Sequence, residues 1–123
     1  MKIINQHTTL LMPLCTLSQK IRFAVEPDNP LLITQFLNFK LNVSTPNKVF
    51  YREQLLAQFQ LLIDTIADEL LPAHWRRQCL DNIYRPLHAL HRIADGTDSK
   101  QQVLALTHEL RVISYYLQDG LSV

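Results

Sequence analysis

Apolar residues between positions 49 and 71 recur once per helical turn and form one continuous stripe. The stripe consists of Leu55, Phe59, Leu62, Ile66 and Leu70, widened by Leu56, Ile63 and Leu71, with Glu53, Gln54, Gln58, Asp64 and Asp68 on the other side. This spacing is typical of an amphipathic helix, and a stripe this wide suits a helix with neighbours on two sides. The pattern therefore predicts a central helix over Val49–Leu71, which Pro72 ends at residue 70 or 71.

The first 45 residues carry weaker helical signals. Leu10, Leu14, Leu17, Ile21 and Ala24 predict a first helix over residues 10–25. Asn29 followed by Pro30 is typical of a helix start. We expect a second helix from there to residue 41, with Leu32, Ile33, Phe36 and Leu37 inward. Apolar alternation at positions 21, 23 and 25 and at 39, 41 and 43 leaves a short two-stranded N-terminal β element as the alternative.

The second half of the chain predicts two more helices. One runs over residues 74–94 and turns Trp75, Cys79, Ile83, Leu87, Leu90 and Ile93 inward. We expect a kink at Pro86 and a left-handed Gly96 behind the end of this helix. A capping box of Ser99 and Gln102 predicts the start of the last helix, Ser99–Asp119. Its heptad-like seam fits an intramolecular bundle face or a self-association surface, and consists of Val103, Leu106, Leu110, Ile113 and Leu117.

The composition of the chain agrees with a helical protein. Only 2 of the 123 residues are glycine, 47% are hydrophobic and 19% are charged, which argues against a turn-rich all-β fold and against disorder. We therefore predict a single all-α domain, residues 1–123, built as a bundle of four or five helices. No apolar run reaches the ~18 residues of a membrane span. Since Cys15 and Cys79 are interpreted as reduced thiols, we expect a cytoplasmic protein without membrane insertion.

The helix predicted over residues 74–94 also carries the most positive surface of the chain. Its polar side has a residue every three or four positions, namely Arg77, Asp81, Arg85, His88 and Arg92, and Arg76 flanks this row. Guanidinium groups bind phosphates and carboxylates through two parallel N–H donors. We therefore predict a binding face for a partner or for phosphate, made of Arg76, Arg77, Arg85, His88 and Arg92.

Candidate catalytic and metal-binding groups are sparse. His88 and His91 are three residues apart, within reach of one metal ion, but no further ligands converge on them along the predicted helix. With two glycines in the chain there is no glycine-rich phosphate loop. We therefore expect no cofactor, no metal site and no catalytic residues, and a role other than catalysis.

Two families share short patterns with this chain. Arg85 and His91 resemble the Arg-x(4–6)-His signature of HEPN-type ribonucleases. That resemblance implies a helical bundle in which the histidine acts as acid or base and the arginine stabilises charge on RNA phosphate. The stretch from Pro13 to Arg22, together with Asp68-Glu69 and Trp75, is similar to the cytoplasmic helical domain of the DotU-like component of type VI secretion. That second resemblance implies a part in a secretion system.

The absence of a catalytic constellation favours a protein-interaction role. We expect a small soluble adaptor, chaperone-like or regulatory module that acts through helical surfaces, with another protein as its partner and a homodimer as one form of that interaction. The alternative function is a nucleic-acid-binding regulator that uses the arginine face. A HEPN-like ribonuclease and a DotU-like secretion-system component are the remaining alternatives.

Overall fold

A computed structural model describes residues 15–38 and 48–117, and all regular secondary structure in these two ranges is helical. Residues 15–22 belong to a helix that we call α1. The helices that follow are α2 (Leu31–Asn38), α3 (Lys48–Ala67), α4 (Ala73–Asn82), α5 (Tyr84–Ile93) and α6 (Thr97–Leu117). The predicted all-α class is confirmed. Residues 21–25, one half of the alternative β element, form the end of α1 and a turn, whereas residues 39–43 lie outside the described ranges.

The helix α3 is the central element of the fold. It packs against α4 and α5, and α5 packs against α6. The predicted stripe is buried over most of its length, at Leu55, Phe59, Leu62, Ile63 and Ile66. The polar residues Gln58 and Thr65 of α3 are buried as well. The prediction that Gln58 lies on the exposed side is therefore wrong, because the neighbours on two sides of α3 cover more of its circumference than the apolar stripe.

Trp75, the only tryptophan of the chain, joins α4 to α1. Its side chain is fully buried, and its indole N–H donates a hydrogen bond of 2.8 Å to the backbone carbonyl of Ile21. The same core contains Leu32, Ile33 and Phe36 of α2, Cys79 of α4, Ile83, and Leu87 and Leu90 of α5. The inward residues that the helical spacing predicts for these segments are thus confirmed.

The two cysteines differ in accessibility, and both are free thiols. Cys15 is exposed and Cys79 is buried. Burial raises the pKa of the Cys79 thiol to about 12, so this thiol stays protonated at neutral pH. No helix in the described ranges is both long enough and apolar enough to cross a membrane.

The central helix ends at Ala67, before the predicted end at residue 70 or 71. Asp68 explains the early end, because its Oδ1 accepts the backbone N–H of Leu70 at 3.0 Å. Its Oδ2 accepts a hydrogen bond of 2.7 Å from Arg22, and this bond holds the pKa of Asp68 below its usual value. A side chain that binds the backbone in this way competes with the next helical turn. Leu70, predicted to face inward, is consequently 93% exposed.

The helix predicted over residues 74–94 is divided in two at Ile83. This residue keeps helical backbone angles, φ −66° and ψ −20°, between the end of α4 and the start of α5. Pro86 follows three residues later and has no N–H to donate to the carbonyl of Asn82. The break lies before the proline because the missing hydrogen bond falls there. The structure thus has two helices in place of the single kinked helix that we expected.

The prediction of a left-handed Gly96 is wrong, since Ala24 alone has a positive φ among the described residues. Gly96 lies directly before α6 and accepts the backbone N–H of Lys100 at 3.0 Å. The hydroxyl of Ser99 accepts the backbone N–H of Gly96 at 3.0 Å. Ser99 is therefore the third residue of α6 and binds back to the position before the helix, whereas the capping-box prediction placed it at that position.

The end of α1 requires a left-handed residue, and Ala24 supplies it with φ 51°. The N–H of Val25 donates to the carbonyl of Lys20 at 3.0 Å, and the N–H of Ala24 donates to the carbonyl of Ile21 at 3.2 Å. This pair of hydrogen bonds is a Schellman motif, in which glycine usually occupies the left-handed position. Alanine adopts that conformation only with strain from its Cβ atom.

The substitution Ala24→Gly is expected to raise the free energy of unfolding by about 1 kcal/mol, because glycine removes the Cβ strain of the left-handed conformation. Urea denaturation followed by the fluorescence of Trp75 measures the change. The matched control is Ala57→Gly, at an exposed position inside α3, which is expected to lower stability by about 1 kcal/mol. A loss of stability in both variants would contradict the strained turn.

Candidate functional site

The five residues predicted as one binding face are separated by the structure. Arg77, Arg85, His88 and Arg92 are exposed, whereas Arg76 is buried. The Nε of Arg76 donates a hydrogen bond of 2.8 Å to the backbone carbonyl of Ile66. Because Ile66 lies in the last turn of α3, Arg76 places its positive charge at the negative end of that helix. The inclusion of Arg76 in an exposed binding face is therefore wrong, and its role is structural.

A cleft between α3 and α5, which we call the arginine cleft, brings three of the predicted residues together. It has a volume of about 360 Å³ and includes Arg85, His88 and Arg92 in its lining. These residues are three and four positions apart on α5, so they lie on one side of that helix. The other lining residues are Leu37 of α2, Tyr51, Leu55 and Gln58 of α3, and Pro86 and Ala89 of α5.

The charge of the arginine cleft is positive, since the described residues that line it include two arginines and no acidic residue. The guanidinium of Arg85 donates a hydrogen bond to the side-chain oxygen of Asn38, the last residue of α2. Arg92 has neither a hydrogen bond nor an ion pair from its guanidinium to any of the described residues. Ion pairs elsewhere in the fold join Lys20 to Glu26, Arg22 to Asp68, Lys48 to Asp95 and His74 to Asp28. No described carboxylate forms an ion pair with the two guanidinium groups of the cleft, and they favour anions nearby.

A buried amide also belongs to the arginine cleft. Gln58 is only 5% exposed and lines the cleft. Its side chain makes no hydrogen bond to any of the described residues. Its amide atoms are not among the buried atoms that lack a partner, so the amide is open to the cleft and can bind a polar group that enters it. The hydroxyl of Tyr51 adds a further polar group on the same helix.

The sequence analysis missed the contribution of α3 to this site. Tyr51, Leu55 and Gln58 are four and three residues apart, which places them on one side of α3. The sequence alone could therefore have indicated that these three residues share one side of α3. What the sequence does not reveal is that this side of α3 lies opposite Arg85 and Arg92, because the pairing depends on how α3 and α5 pack.

The seam predicted on the last helix faces the interior of the fold. Val103 and Leu110 are buried, and Leu106, Ile113 and Leu117 are partly buried against the core. The seam therefore serves as an intramolecular bundle face within the described residues, which is one of its two predicted roles. Because Val103 and Leu110 are buried, these two residues offer no exposed apolar surface for self-association, which is the second predicted role of the seam.

A second apolar surface covers the opposite side of α6. Large exposed hydrophobic residues occur there at Leu104, Val112, Tyr115 and Tyr116. At the α-helical spacing these positions form a stripe turned away from Val103 and Leu110. We call the exposed residues of this stripe, Gln101, Leu104, His108, Val112, Tyr115 and Tyr116, the outer face of α6. The sequence analysis overlooked it because the inward seam already accounted for the helix.

The histidines that were considered for chemistry are not brought into a common site. Among the described residues no group of three His, Cys, Asp or Glu side chains is arranged to hold a metal ion. His88 and His91 are both exposed. Of the pair that resembles the HEPN signature, Arg85 lines the arginine cleft and His91 does not.

No protein-family model matches the chain, and neither a curated protein nor a solved structure does. The resemblances to HEPN-type ribonucleases and to the DotU-like component therefore rest on the short residue patterns alone.

Proposed function

We propose that this protein is a small protein-interaction module that docks through the outer face of α6. One observation carries the proposal, namely the exposure of large apolar side chains along the side of α6 that does not contact the core. Leu104 is 68% exposed, and Val112, Tyr115 and Tyr116 are exposed with it. Helices on a protein surface are usually polar on the side away from the core, so a helix that is apolar on both sides indicates a partner on its outer side.

The residue types of the outer face suit a protein partner. Tyrosine is enriched at interfaces, because it buries a large ring and keeps a hydroxyl for hydrogen bonding. Tyr115 and Tyr116 supply two such rings near one end of the stripe, and their ring centroids are 6.0 Å apart. Leu104 and Val112 supply aliphatic contacts nearer its middle, and Gln101 and His108 add polar atoms that an interface can use.

The partner that we propose for this face is a second copy of the chain. The stripe is nearly symmetric about His108, with Leu104 and Val112 four residues to either side and Gln101 and Tyr115 seven residues to either side. Two antiparallel copies of α6, related by a two-fold axis at His108, would therefore place Leu104 against Val112 of the second copy. Gln101 would lie against Tyr115 of the second copy in the same arrangement. A two-fold interface requires this self-complementarity.

The nucleic-acid alternative has weaker support. Proteins that bind nucleic acid present several cations along the phosphate backbone, and single-strand binders add aromatic rings for base stacking. The arginine face loses Arg76 to the interior and retains Arg77, Arg85 and Arg92 at its surface. The cleft that collects two of these arginines is small, at about 360 Å³, and it suits a compact anion better than a polymer.

The proposed self-association is tested by sedimentation equilibrium with the full chain over a wide concentration range. We expect a dimer for the wild type and a dimer dissociation constant roughly 30-fold or more higher for Leu104→Glu, because the variant buries a carboxylate against apolar side chains. The matched control is Leu31→Glu on α2, where the leucine is 64% exposed. This control should leave the dimer unchanged.

Circular dichroism of both variants checks that the helices are intact, so that a change in mass is not caused by unfolding. A wild type that stays monomeric at every concentration would overturn self-pairing through α6. Equal weakening by Leu104→Glu and Leu31→Glu would also overturn it, because the effect would then not be specific to the outer face.

A further inference from the structure

We propose that the arginine cleft is a binding site for the phosphate group of a small phosphate monoester. The inference is independent of the proposed docking through α6, because every residue that lines the cleft lies on α2, α3 or α5. The proposed ligand binds Arg85, His88 and Arg92, the residues of the predicted binding face that line the cleft.

The charge of the cleft favours phosphate. Two guanidinium groups, those of Arg85 and Arg92, line one small space in which the described lining has no acidic residue. Each guanidinium can donate two parallel hydrogen bonds to the oxygens of one phosphate. A dianionic phosphate monoester compensates both charges, whereas a carboxylate compensates one. Phosphate is therefore the anion that this lining fits better.

The spacing along α5 allows both guanidinium groups to reach one ligand. Arg85 and Arg92 are seven residues apart, which corresponds to two helical turns and about 10 Å along the helix axis. Arginine side chains are long enough to approach a common ligand from both ends of that interval. His88 lies between them on the same side of the helix and also lines the cleft. Its ring nitrogens add a further possible donor for a phosphate oxygen.

Part of the site is fixed before any ligand enters. The hydrogen bond from Arg85 to Asn38 ties the guanidinium to the end of α2, so less side-chain entropy is lost when a ligand binds. Pro86 and Ala89 are buried on α5 beside it and hold the helix against the core. The guanidinium of Arg92 makes no hydrogen bond or ion pair to the described residues, so its donors are available to a ligand.

Gln58 adds a hydrogen-bond donor to the cleft. The residue is 5% exposed and lines the cleft, and its side chain makes no hydrogen bond to the described residues. Its amide atoms are not among the buried atoms that lack a partner, so the amide is open to the cleft and its N–H₂ can donate to a phosphate oxygen. A site made of two cations and one amide recognises a compact anion with several acceptor oxygens. The volume of about 360 Å³ lies near the lower end of the range for small-molecule sites.

The test is a titration of the full-length, ¹⁵N-labelled protein with inorganic phosphate, followed by nuclear magnetic resonance, against a sodium chloride series of equal ionic strength. We expect saturable shifts of the Gln58 side-chain amide and the Arg92 side-chain signal with phosphate, and none with chloride. Adenosine monophosphate and phosphoserine are then titrated in the same way. Tighter binding of either one supports the site and tells whether the phosphate comes from a nucleotide or from a modified side chain.

The decisive variant is Arg92→Gln, because Arg92 makes no hydrogen bond or ion pair to the described residues that its replacement would break. Its phosphate dissociation constant should rise roughly tenfold or more. The matched control is Arg77→Gln, since Arg77 is exposed on α4 and does not line the cleft. It should bind phosphate as the wild type does.

Three results would overturn the proposal. The first is the absence of any saturable shift in the spectrum up to high phosphate concentration, which would show that phosphate does not bind. The second is an equal loss of affinity in Arg92→Gln and Arg77→Gln, which would indicate general attraction of anions to a basic surface. The third is phosphate binding that leaves Gln58 unaffected in the wild type. Leu104 does not line the cleft, so the Leu104→Glu variant should bind phosphate as the wild type does. A wrong dimer proposal and a wrong phosphate-site proposal therefore give different results.

Discussion

Replacement of Trp75 by alanine is expected to lower the free energy of unfolding by about 3–5 kcal/mol, the usual cost of removing a large buried aromatic side chain. Trp75 is fully buried. It lies where α4 meets α1, and its indole N–H donates to the carbonyl of Ile21. The substitution therefore leaves a cavity and also removes a contact between two helices that are distant in the sequence. For a domain with a total stability of about 5–15 kcal/mol, such a loss approaches complete unfolding.

Urea denaturation followed by far-ultraviolet circular dichroism measures this loss, because the variant has no tryptophan left for fluorescence. The matched control is Phe23→Ala, since Phe23 is an exposed aromatic residue close to the same end of α1. Its ring lies beside the guanidinium of Arg22, 5.4 Å from the ring centroid, so its removal should cost about 1 kcal/mol or less. Similar losses in the two variants would contradict the position of Trp75 at the centre of the core.

The second large effect is expected for Arg76, and its neighbour provides the comparison. Arg76→Ala should lower the free energy of unfolding by about 1.5–3 kcal/mol, because it removes a charged hydrogen bond to the Ile66 carbonyl at the end of α3. Arg77→Ala should change stability by about 1 kcal/mol or less, because Arg77 is exposed and the interactions of exposed charged side chains contribute little. Two adjacent arginines are thus expected to differ strongly in the same denaturation experiment. Equal effects would show that Arg76 does not hold the end of α3.

The buried core was accessible to sequence analysis because burial follows helical spacing. Phe59, Leu62 and Ile66 repeat at that spacing, and so do Trp75, Cys79 and Ile83; all six are buried. The position of Arg76 could have been inferred by the same rule. It is followed at helical steps by Leu80, Ile83 and Leu87, which face inward or are partly buried. Because arginine is charged, Arg76 was instead assigned to the exposed binding face.

The ends of the helices were harder to predict because side-chain hydrogen bonds decide them. Asp68 binds the backbone N–H of Leu70 and ends α3 early, a competition that apolar periodicity does not register. Ser99 binds back to Gly96 from inside α6. Ala24 adopts the left-handed conformation that glycine usually occupies at the end of a helix. Each outcome depends on one local hydrogen bond or one strained residue.

The candidate sites were predictable in part. The spacing of Arg85, His88 and Arg92 placed them on one side of a helix, and the structure gathers them in one cleft. The contribution of Gln58 depends on the packing of α3 against α5, which the spacing along one helix does not contain. The outer face of α6 is visible in the sequence as a second apolar set, with Leu104, Val112 and Tyr115 at helical intervals. It becomes recognisable as a surface once Leu110 is known to face the core.

The most direct test of docking through the outer face of α6 is a cysteine cross-link at position 108, in a chain whose exposed Cys15 is replaced by serine. In the proposed two-fold dimer residue 108 lies beside its counterpart, within the Cα separation of about 4.4–6.8 Å that a disulfide needs. His108→Cys should therefore form a covalent dimer under mild oxidation. Lys100→Cys should not, because antiparallel pairing separates the two copies of residue 100 by about 24 Å along the helices. Cross-linking at neither position, or equally at both, would contradict docking through this face of α6.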